Sequence, residues 1–273
     1  MAAGRRGGTS GGISGGISGG RRLARQRLRS TKQRSQSSRH WLERQLNDPY
    51  VAAARREGYR SRAAYKLAEI DARFRILKRG RRVVDLGTAP GGWAQVAAEA
   101  VRSGGGQGPG GQGPGGQGPE GQGPEGQGPE EPVGGQGGQV VAIDLLPVDS
   151  IPGVDFIQLD FMDPTAPERL KRMLRGGKAD VVLSDMAAQG TGHARTDHLR
   201  VVGLAEAAAE FACEVLEVGG AFVCKVFQGG SERALLGLLK HAFTTVKHVK
   251  PPASRAESAE MYVVATGFRG TAG

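Results

Sequence analysis

Cysteine is rare in this sequence, and no apolar run is long enough to cross a bilayer. Only Cys213 and Cys224 are present among 273 residues. They lie in apolar surroundings, without a C-x-x-C pair or a histidine at metal-ligand spacing. We therefore expect two buried thiols in a reducing compartment, and no metal site. A membrane helix needs about 20 apolar residues, and no segment approaches that length or resembles a secretory signal, so we predict a cytoplasmic protein without a membrane partner.

Acidic residues are absent from the first 40 positions. Residues 1–40 hold ten basic side chains, and the rest of the chain has 27 of each sign, so this segment accounts for the whole net charge of +10. It has no apolar periodicity, which indicates a disordered basic tail, and arms of this kind commonly contact nucleic acid. Two other interpretations stay open: a solubilising tail, and an organelle transit peptide, which has a similar Arg-rich and acid-poor composition.

Residues 103–138 contain little besides Gly, Gln, Pro and Glu. The five-residue unit GQGPG, and later GQGPE, repeats from Gln107 to Glu130. Glycine and proline at this density exclude helix and strand, and nothing in the segment can offset the entropy lost on folding. Collagen is also excluded, because it requires glycine at every third position. We predict a disordered insertion within a single folded domain of residues 41–273.

Outside these segments, β-type runs alternate with runs of helical spacing. The first strand is the apolar run that ends at Asp85, and the later strands are predicted at residues 139–144, 154–160, 179–185, 220–227, 244–250 and 261–268. Helical spacing is found in residues 167–174, 197–216 and 231–243. The alternation predicts an α/β fold, with a mostly parallel sheet and helices on both faces. Ligands of such sheets bind at the carboxyl ends of the strands.

The most informative motif is VVDLGTAPGGW, residues 83–93. It places a tight glycine turn directly after a buried strand, where a ligand can approach the backbone without meeting side chains. The glycines follow the spacing G-x-x-x-G-G, whereas a dinucleotide fingerprint is G-x-G-x-x-G, so binding of a pyrophosphate is disfavoured. For a lone turn of this kind, an ordinary connection between a strand and a helix stays an alternative.

Four consecutive predicted strands end in an aspartate at the edge of the sheet where a ligand would bind. These residues are Asp85, Asp144, Asp160 and Asp185. Asp144 follows Asp85 by 23 positions when the insertion is left out, close to the roughly 20 expected for a carboxylate that binds a ribose. A single such acid is often a solvated strand end, but four in succession indicate a binding site.

Lys225 interrupts AFVCKVF, which is otherwise an apolar central strand. Burying an unpaired charge is costly, so its ammonium group must be paired or face a functional cleft. Asp185 ends the neighbouring predicted strand and is the expected partner. Lys66 lies in SRAAYKLAEIDARF, a predicted amphipathic helix on which a lone lysine is normally solvated.

Seven segments of the chain stand in the order found in one enzyme family: SRAAYKL, VVDLGTAPGGW, DLLP, VDFIQLDF, LSDMA, CKVFQG and ESAEMYVVATG. They resemble the FtsJ/RlmE family of RNA ribose 2′-O-methyltransferases, and together they cover residues 59–268 apart from the insertion. The resemblance implies the Rossmann-like fold of class I S-adenosylmethionine-dependent methyltransferases. That fold has a seven-stranded, mostly parallel sheet with helices on both faces and an antiparallel last strand.

The resemblance also implies roles for individual residues. The family's Lys-Asp-Lys-Glu catalytic tetrad falls on Lys66, Asp185, Lys225 and Glu260. Its positions for the cofactor S-adenosyl-L-methionine fall on Gly91, Trp93, Asp144, Asp160 and Asp185. One departure is LSDMAAQG, where a bacterial member usually has Pro-Asn after the first alanine.

An enzyme of this family would methylate a uridine ribose of 23S-type large-subunit ribosomal RNA, as a monomer acting on the assembled 50S particle. Lys225 would accept the hydroxyl proton, although the sequence leaves open which lysine does so, and Lys66 would stabilise the developing alkoxide. Asp185 and Glu260 would orient the lysines. Eleven basic residues between Arg55 and Arg82 are predicted to surround the cleft and bind phosphates. Two alternatives stay open: methylation of a transfer-RNA anticodon loop, and a non-catalytic RNA-binding factor of ribosome assembly.

Overall fold

The computed structural model describes residues 45–102, 137–188, 194–228 and 233–270. The predicted basic tail and residues 103–136 of the predicted insertion lie outside this part of the chain. From Pro49 onward the helices are α1 (Pro49–Glu57), α2 (Ala63–Phe74), α3 (Gly92–Arg102), α4 (Ala166–Met173), α5 (Ala194–Val215) and α6 (Arg233–Ala242). The strands are β1 (Arg82–Leu86), β2 (Gln139–Asp144), β3 (Val154–Gln158), β4 (Ala179–Ser184), β5 (Leu216–Phe227), β6 (Phe243–Val249) and β7 (Glu260–Phe268).

The strands form one seven-stranded sheet in the order β3-β2-β1-β4-β5-β7-β6. β7 runs antiparallel to β5 and β6, and the other neighbours are parallel. The chain builds outward from β1 to β3 and then returns to β4 on the other side of β1, so the strand order reverses between β1 and β4. The predicted α/β fold is therefore confirmed, including the mostly parallel sheet and the antiparallel last strand.

Alternating side chains of the central strands supply the cores on both faces of the sheet. In β1, Val84 and Leu86 belong to the core on one face, together with residues of α4, α5 and α6, while Val83 belongs to the core on the other face, together with residues of α2 and α3. All three side chains are fully buried. Because helices cover both faces of this mostly parallel sheet, its central strands are largely apolar runs. The edge strands β3 and β6 are more exposed.

Two strand boundaries differ from the sequence prediction by more than one residue. β5 begins at Leu216, four residues early, because Leu216 already pairs with Ala179 before a shift in register. β3 ends at Gln158, because its neighbour β2 ends at Asp144, whose carbonyl accepts the last hydrogen bond from the Leu159 amide (2.9 Å). Asp160 therefore lies beyond the strand rather than at its last residue.

The two attachment points of the predicted insertion lie side by side. The Val101 carbonyl, in the last turn of α3, accepts hydrogen bonds from the Gly138 amide (3.3 Å) and from the Gly80 amide (2.9 Å). Gly138 leads directly into β2, whose first residue pairs with Arg82 at the start of β1. The insertion therefore leaves and re-enters the fold at the amino ends of the strands, opposite the edge where parallel sheets bind their ligands.

Candidate active site

A cavity of about 720 Å³ opens at the carboxyl ends of β1, β2 and β4. Its walls are formed by the glycine turn after β1, the segments that follow β2, β3 and β4, and one side of α5. Three of the four predicted acids, Asp144, Asp160 and Asp185, line it. The cavity thus lies where the strand order reverses, which is the position expected for a ligand in this class of sheet.

The glycine turn allows the segments around the cavity to approach one another closely. Gly87 has a φ of +77°, a conformation that L side chains rarely adopt. A Cβ atom at this position would lie 2.6 Å from Met186 Cγ and 2.8 Å from Met186 Cα. The Gly87 amide also donates to the Ile143 carbonyl (2.9 Å). A side chain at Gly87 would therefore push the segment after β4 away from the turn.

The carboxylate of Asp144 joins the glycine turn to the segment after β2. Its Oδ2 accepts a hydrogen bond from the Ala89 amide (2.8 Å), and its Oδ1 accepts one from the Leu146 amide (2.8 Å). Asp160 is more exposed, and its Oδ1 accepts from the Met162 amide (2.9 Å). Each oxygen that accepts one bond has a further lone pair, so both acids can still accept hydrogen bonds from a ligand.

Gly91 and Trp93 lie beside the cavity and are not among the residues that line it. Trp93 is 2% exposed, its Nε1 donates to the Ala63 carbonyl (2.9 Å), and its ring lies 5.5 Å from the Tyr262 ring. Gly91 has a φ of +112°, and a Cβ there would lie 2.5 Å from Ile151 Cδ1. The geometry gives both residues a packing role, and direct contact with a cofactor stays a prediction.

Asp85, the fourth predicted acid, is fully buried and does not line the cavity. Its Oδ2 accepts a hydrogen bond from Thr88 Oγ1 (2.5 Å), within the glycine turn. Burial, with smaller contributions from the charges of Asp185 and Asp144, raises the pKa of Asp85 to about 7. The position of this carboxyl group indicates that it stabilises the glycine turn through its bond with Thr88 rather than binding a ligand.

We expect Asp85→Asn to change the pH dependence of stability. A carboxyl group with a pKa of about 3.9 in the unfolded chain and about 7 in the fold binds a proton only in the fold between these pH values. The free energy of unfolding of the wild type should therefore fall as the pH rises from about 4 to about 7, by up to about 1.4 kcal/mol per unit. The variant should lack this slope. Urea unfolding across this range measures the difference, and parallel profiles for the two proteins would contradict the expectation.

Sheet register brings three polar side chains into one row across β4, β5 and β7. Ser184 pairs with Cys224, so Asp185, the next residue after β4, stands level with Lys225. Lys225 in turn pairs with Tyr262 across the antiparallel β5 and β7. Paired residues of neighbouring strands lie on the same face of a sheet. Asp185, Lys225 and Tyr262 therefore meet although they are far apart in the sequence.

The ammonium group of Lys225 is paired with Asp185, as the sequence predicts. Its side chain is 8% exposed, and Nζ donates to both the backbone carbonyl (2.7 Å) and Oδ1 (3.1 Å) of Asp185. These two bonds compensate a charge in the interior of the sheet. Among the described residues no group occupies the third hydrogen-bonding direction of this nitrogen, so it remains available for an acceptor molecule.

Lys66 belongs to the same cluster and is not a solvated helix lysine. Its side chain is 13% exposed, and Nζ donates to Glu260 Oε1 (2.5 Å) and to the hydroxyl of Tyr262 (3.2 Å). That hydroxyl lies 2.9 Å from Asp185 Oδ1 and 3.1 Å from Glu260 Oε1, and it donates to one of them at a time. The structure therefore brings together all four residues of the predicted tetrad, in two pairs of a lysine and a carboxylate.

Tyr262, which connects these two pairs, is missed by the sequence analysis. Burial, together with the carboxylates of Asp185 and Glu260, holds the pKa of this phenol well above its usual value. The hydroxyl therefore keeps its proton and remains a donor. Glu260 and Tyr262 are two residues apart in one strand, so their side chains share a face. In the sequence EMY, residues 260–262, a tyrosine follows the predicted catalytic glutamate by two positions. This spacing is the signal from which Tyr262 could have been predicted.

The basic residues between Arg55 and Arg82 do not all surround the cavity, contrary to the prediction. Arg82 is the first residue of β1, and its guanidinium group is paired with Asp180 (3.2 Å) at the start of β4 and with Glu217 (3.4 Å). β1 runs five residues from there toward the cavity, a length of about 16 Å. Arg82 and the preceding Arg81 therefore belong to the opposite edge of the sheet.

What the structure shows about a membrane helix and a metal site concerns only the residues that it describes. Within the described residues, no helix has the length and apolar composition to cross a membrane. In the same part of the chain, no three His, Cys, Asp or Glu side chains come together as metal ligands. Both cysteines are free thiols, and Cys213 is only half-buried, whereas Cys224 is buried as expected.

Comparison with known proteins gives matches over nearly all of this fold. The family model described as FtsJ-like methyltransferase matches residues 59–268. The Azorhizobium caulinodans protein named Ribosomal RNA large subunit methyltransferase E is 54% identical over 246 residues, 90% of each chain. The protein of that name from Gluconobacter oxydans is 52% identical over 242 residues, 89% of this chain and 77% of its own.

A solved structure is also similar. It is a Plasmodium falciparum protein provisionally named a ribosomal RNA methyltransferase, with a TM-score of 0.60 and 28% identity, covering 78% of this chain and 100% of its own. The sequence matches and this shared fold agree on one assignment. The chain belongs to the FtsJ-like methyltransferase family, whose methyl donor is S-adenosylmethionine.

Proposed function

We propose that the protein transfers a methyl group from S-adenosylmethionine to a ribose 2′-hydroxyl of large-subunit ribosomal RNA. One observation carries the proposal: Asp185 lines the cavity and also accepts hydrogen bonds from Lys225 Nζ. A donor in the cavity and an acceptor at the two lysines would therefore meet beside one carboxylate. The names of the relatives point to ribosomal RNA as the acceptor.

The residues around the cavity fit this donor. A volume of about 720 Å³ lies in the range of small-molecule sites. Asp144 and Asp160 can accept hydrogen bonds from ribose hydroxyls, and carboxylates in the lining complement a positively charged sulfonium. Leu145 and Met162 are more than half exposed at the cavity and offer apolar surface to a purine. We assign Asp144, Asp160 and Asp185 to cofactor binding, with Gly91 and Trp93 shaping the turn beside them.

S-adenosylmethionine supplies an electrophilic methyl group on a sulfonium centre. In its amine form Lys225 keeps two N–H bonds for Asp185 and directs its lone pair along the remaining direction, where it would remove the proton of the 2′-hydroxyl. Lys66, held by Glu260 and the Tyr262 hydroxyl, would stabilise the developing alkoxide. The hydroxyl is weakly acidic, so holding it in line with the donor supplies much of the rate.

The finer parts of the proposal concern the substrate and its setting. We propose a uridine of 23S-type RNA in the assembled 50S particle, modified in the cytoplasm by a monomer. The charge of the chain supports an RNA particle as partner, since its whole excess of +10 lies in residues 1–40 and basic arms commonly contact nucleic acid. The complete tetrad favours an enzyme over a non-catalytic assembly factor.

Methylation of defined RNAs by the purified full-length protein tests the proposal. The acceptors are 50S particles that lack ribose methylation, the free large-subunit RNA from those particles, and unmodified transfer RNA. With radiolabelled S-adenosylmethionine we expect label in the particle, located by mass spectrometry as a single 2′-O-methyluridine. Label in transfer RNA alone would show that the substrate is transfer RNA rather than ribosomal RNA. Cofactor binding without transfer to any RNA would support an assembly factor.

A further inference from the structure

Arg60 precedes α2 and is one of the basic residues that the sequence predicts to bind RNA phosphates, but its contacts indicate another role. We propose that Arg60 is a positioning residue for the cofactor. It fastens the loop after β2 to the glycine turn, and so holds the cavity wall that carries Asp144 and Leu146. The inference rests on the proposed function, because it takes the cavity as the cofactor site.

The guanidinium group of Arg60 donates hydrogen bonds to backbone carbonyls of two segments. Nη1 donates to the Asp149 carbonyl (2.7 Å) and, at 3.5 Å, to the Pro90 carbonyl, while Nη2 donates to the Ser150 carbonyl (2.7 Å). Asp149 and Ser150 lie in the loop between β2 and β3, and Pro90 lies in the glycine turn. The planar fork therefore bridges the turn and the loop.

The base of the Arg60 side chain is held in place as well. Its amide donates to Gln95 Oε1 (2.8 Å), and Gln95 Nε2 donates to the Gly58 carbonyl (3.1 Å), so α3 anchors the chain at Arg60 and two residues before it. Gly91 leaves room for the stem, because a Cβ there would lie 3.1 Å from Arg60 Cδ and 2.5 Å from Ile151 Cδ1. Packing thus explains why glycine stands at position 91, without any contact with the cofactor.

The loop that Arg60 fastens begins in the wall of the cavity. Asp144 already joins the same two segments on the cavity side, through the amides of Ala89 and Leu146. Without Arg60, the loop would keep its bonds through Asp144 but would lose those at Asp149 and Ser150. A less ordered wall binds a ligand more weakly, because more conformational freedom is lost on binding. Removal of Arg60 is therefore expected to weaken cofactor affinity.

The shape of the guanidinium group matters more here than its charge. The edge formed by Nη1 and Nη2 would meet a phosphate in a bidentate contact, but here it faces the carbonyls of Asp149 and Ser150. A lysine keeps the charge, but its compact ammonium group cannot reproduce the fork. The comparison of Arg60→Lys with Arg60→Ala therefore separates a positioning role from a role in binding RNA.

Calorimetric titration with S-adenosylmethionine, in the absence of RNA, tests the proposal on the full-length protein. We expect Arg60→Ala to bind about tenfold more weakly, the effect of losing hydrogen bonds from a charged donor, and Arg60→Lys to remain at least about threefold weaker than wild type. At saturating cofactor, kcat should stay within about twofold of wild type. The salt dependence of affinity for the 50S particle should not change, whereas loss of a phosphate contact would flatten the slope by about 0.7 to 0.9.

Arg55→Ala is the matched control, since Arg55 is exposed and lies five residues earlier, and its cofactor affinity should equal that of wild type. If Arg60→Ala unfolds at the assay temperature, Arg60→Lys decides, because it keeps the stem and the charge. Unchanged cofactor affinity overturns the proposal, as does full recovery in Arg60→Lys. A flattened salt slope would identify a phosphate contact instead. A wild type that does not bind S-adenosylmethionine would instead refute the proposed function.

Discussion

We expect Lys225→Ala to lower kcat for methyl transfer by about three orders of magnitude and to leave the Kd for S-adenosylmethionine within about threefold of wild type. A positioned general base contributes about 10²- to 10⁴-fold. Lys225 bonds to Asp185 but is not among the residues that line the cavity. Its removal should therefore affect the reaction of the ribose hydroxyl more than the binding of S-adenosylmethionine. Single-turnover assays and cofactor titration measure the two quantities separately.

Two variants control for indirect effects of this substitution. Lys225→Met keeps the volume of the stem without the amine, and should be as inactive as Lys225→Ala. Lys247→Ala removes an exposed lysine of the edge strand β6 and should keep full activity. The proposed role of Lys225 would be wrong if Lys225→Met retained turnover, or if both Lys225 variants lost the cofactor while still folding.

We expect Asp144→Ala to raise the Kd for S-adenosylmethionine by about 100-fold. Each hydrogen bond that a carboxylate accepts contributes about 1.5 to 3 kcal/mol, and Asp144 would accept bonds from the ribose of the cofactor. The same substitution removes the bonds to the amides of Ala89 and Leu146 that shape the cavity wall. At saturating cofactor, kcat should recover to within a few-fold of wild type, because Asp144 does not contact the lysines.

Asp155→Ala provides the matched control for Asp144→Ala. Asp155 is an exposed aspartate of the same sheet whose carboxylate bonds to Gln139 rather than to the cavity, so its replacement should leave the Kd unchanged. Asp144→Asn should lie between wild type and Asp144→Ala, since one acceptor oxygen remains. An Asp144→Ala variant with wild-type cofactor affinity would remove this residue from the binding site.

The fold class followed from local patterns alone. The central strands are buried on both faces, so they appear in the sequence as short apolar runs, and the glycine turn after β1 has a backbone that only glycine adopts easily. Such features depend on residues close in sequence and can be recognised without knowing the partners. The same holds for Lys225, because a charge inside an apolar strand requires a partner wherever the strand lies.

Other features depended on contacts between distant segments. Trp93 and Gly91 stand in the motif that suggested cofactor binding, but the Trp93 ring lies beside Tyr262, and Ile151 occupies the space that a side chain at position 91 would need. Both contacts are with residues that come much later in the chain. Arg82 stands in a basic run, yet the direction of β1 carries it away from the cavity. In each case the sequence indicated the chemistry of the residue, and only the tertiary structure determined which part of the protein it contacts.

The sequence by itself determined the strands, the glycine turn and the need of Lys225 for a partner, because local backbone preference and the cost of burying charge act at each position separately. The tetrad as a set came from the resemblance to the family. Only the tertiary structure decided that Lys66 meets Glu260, that Tyr262 joins both pairs, and that Arg60 bonds to carbonyls of the loop after β2. These contacts arise from strand register and helix packing. Both are properties of the whole sheet, in which a shift of one residue would turn Lys225 to the opposite face.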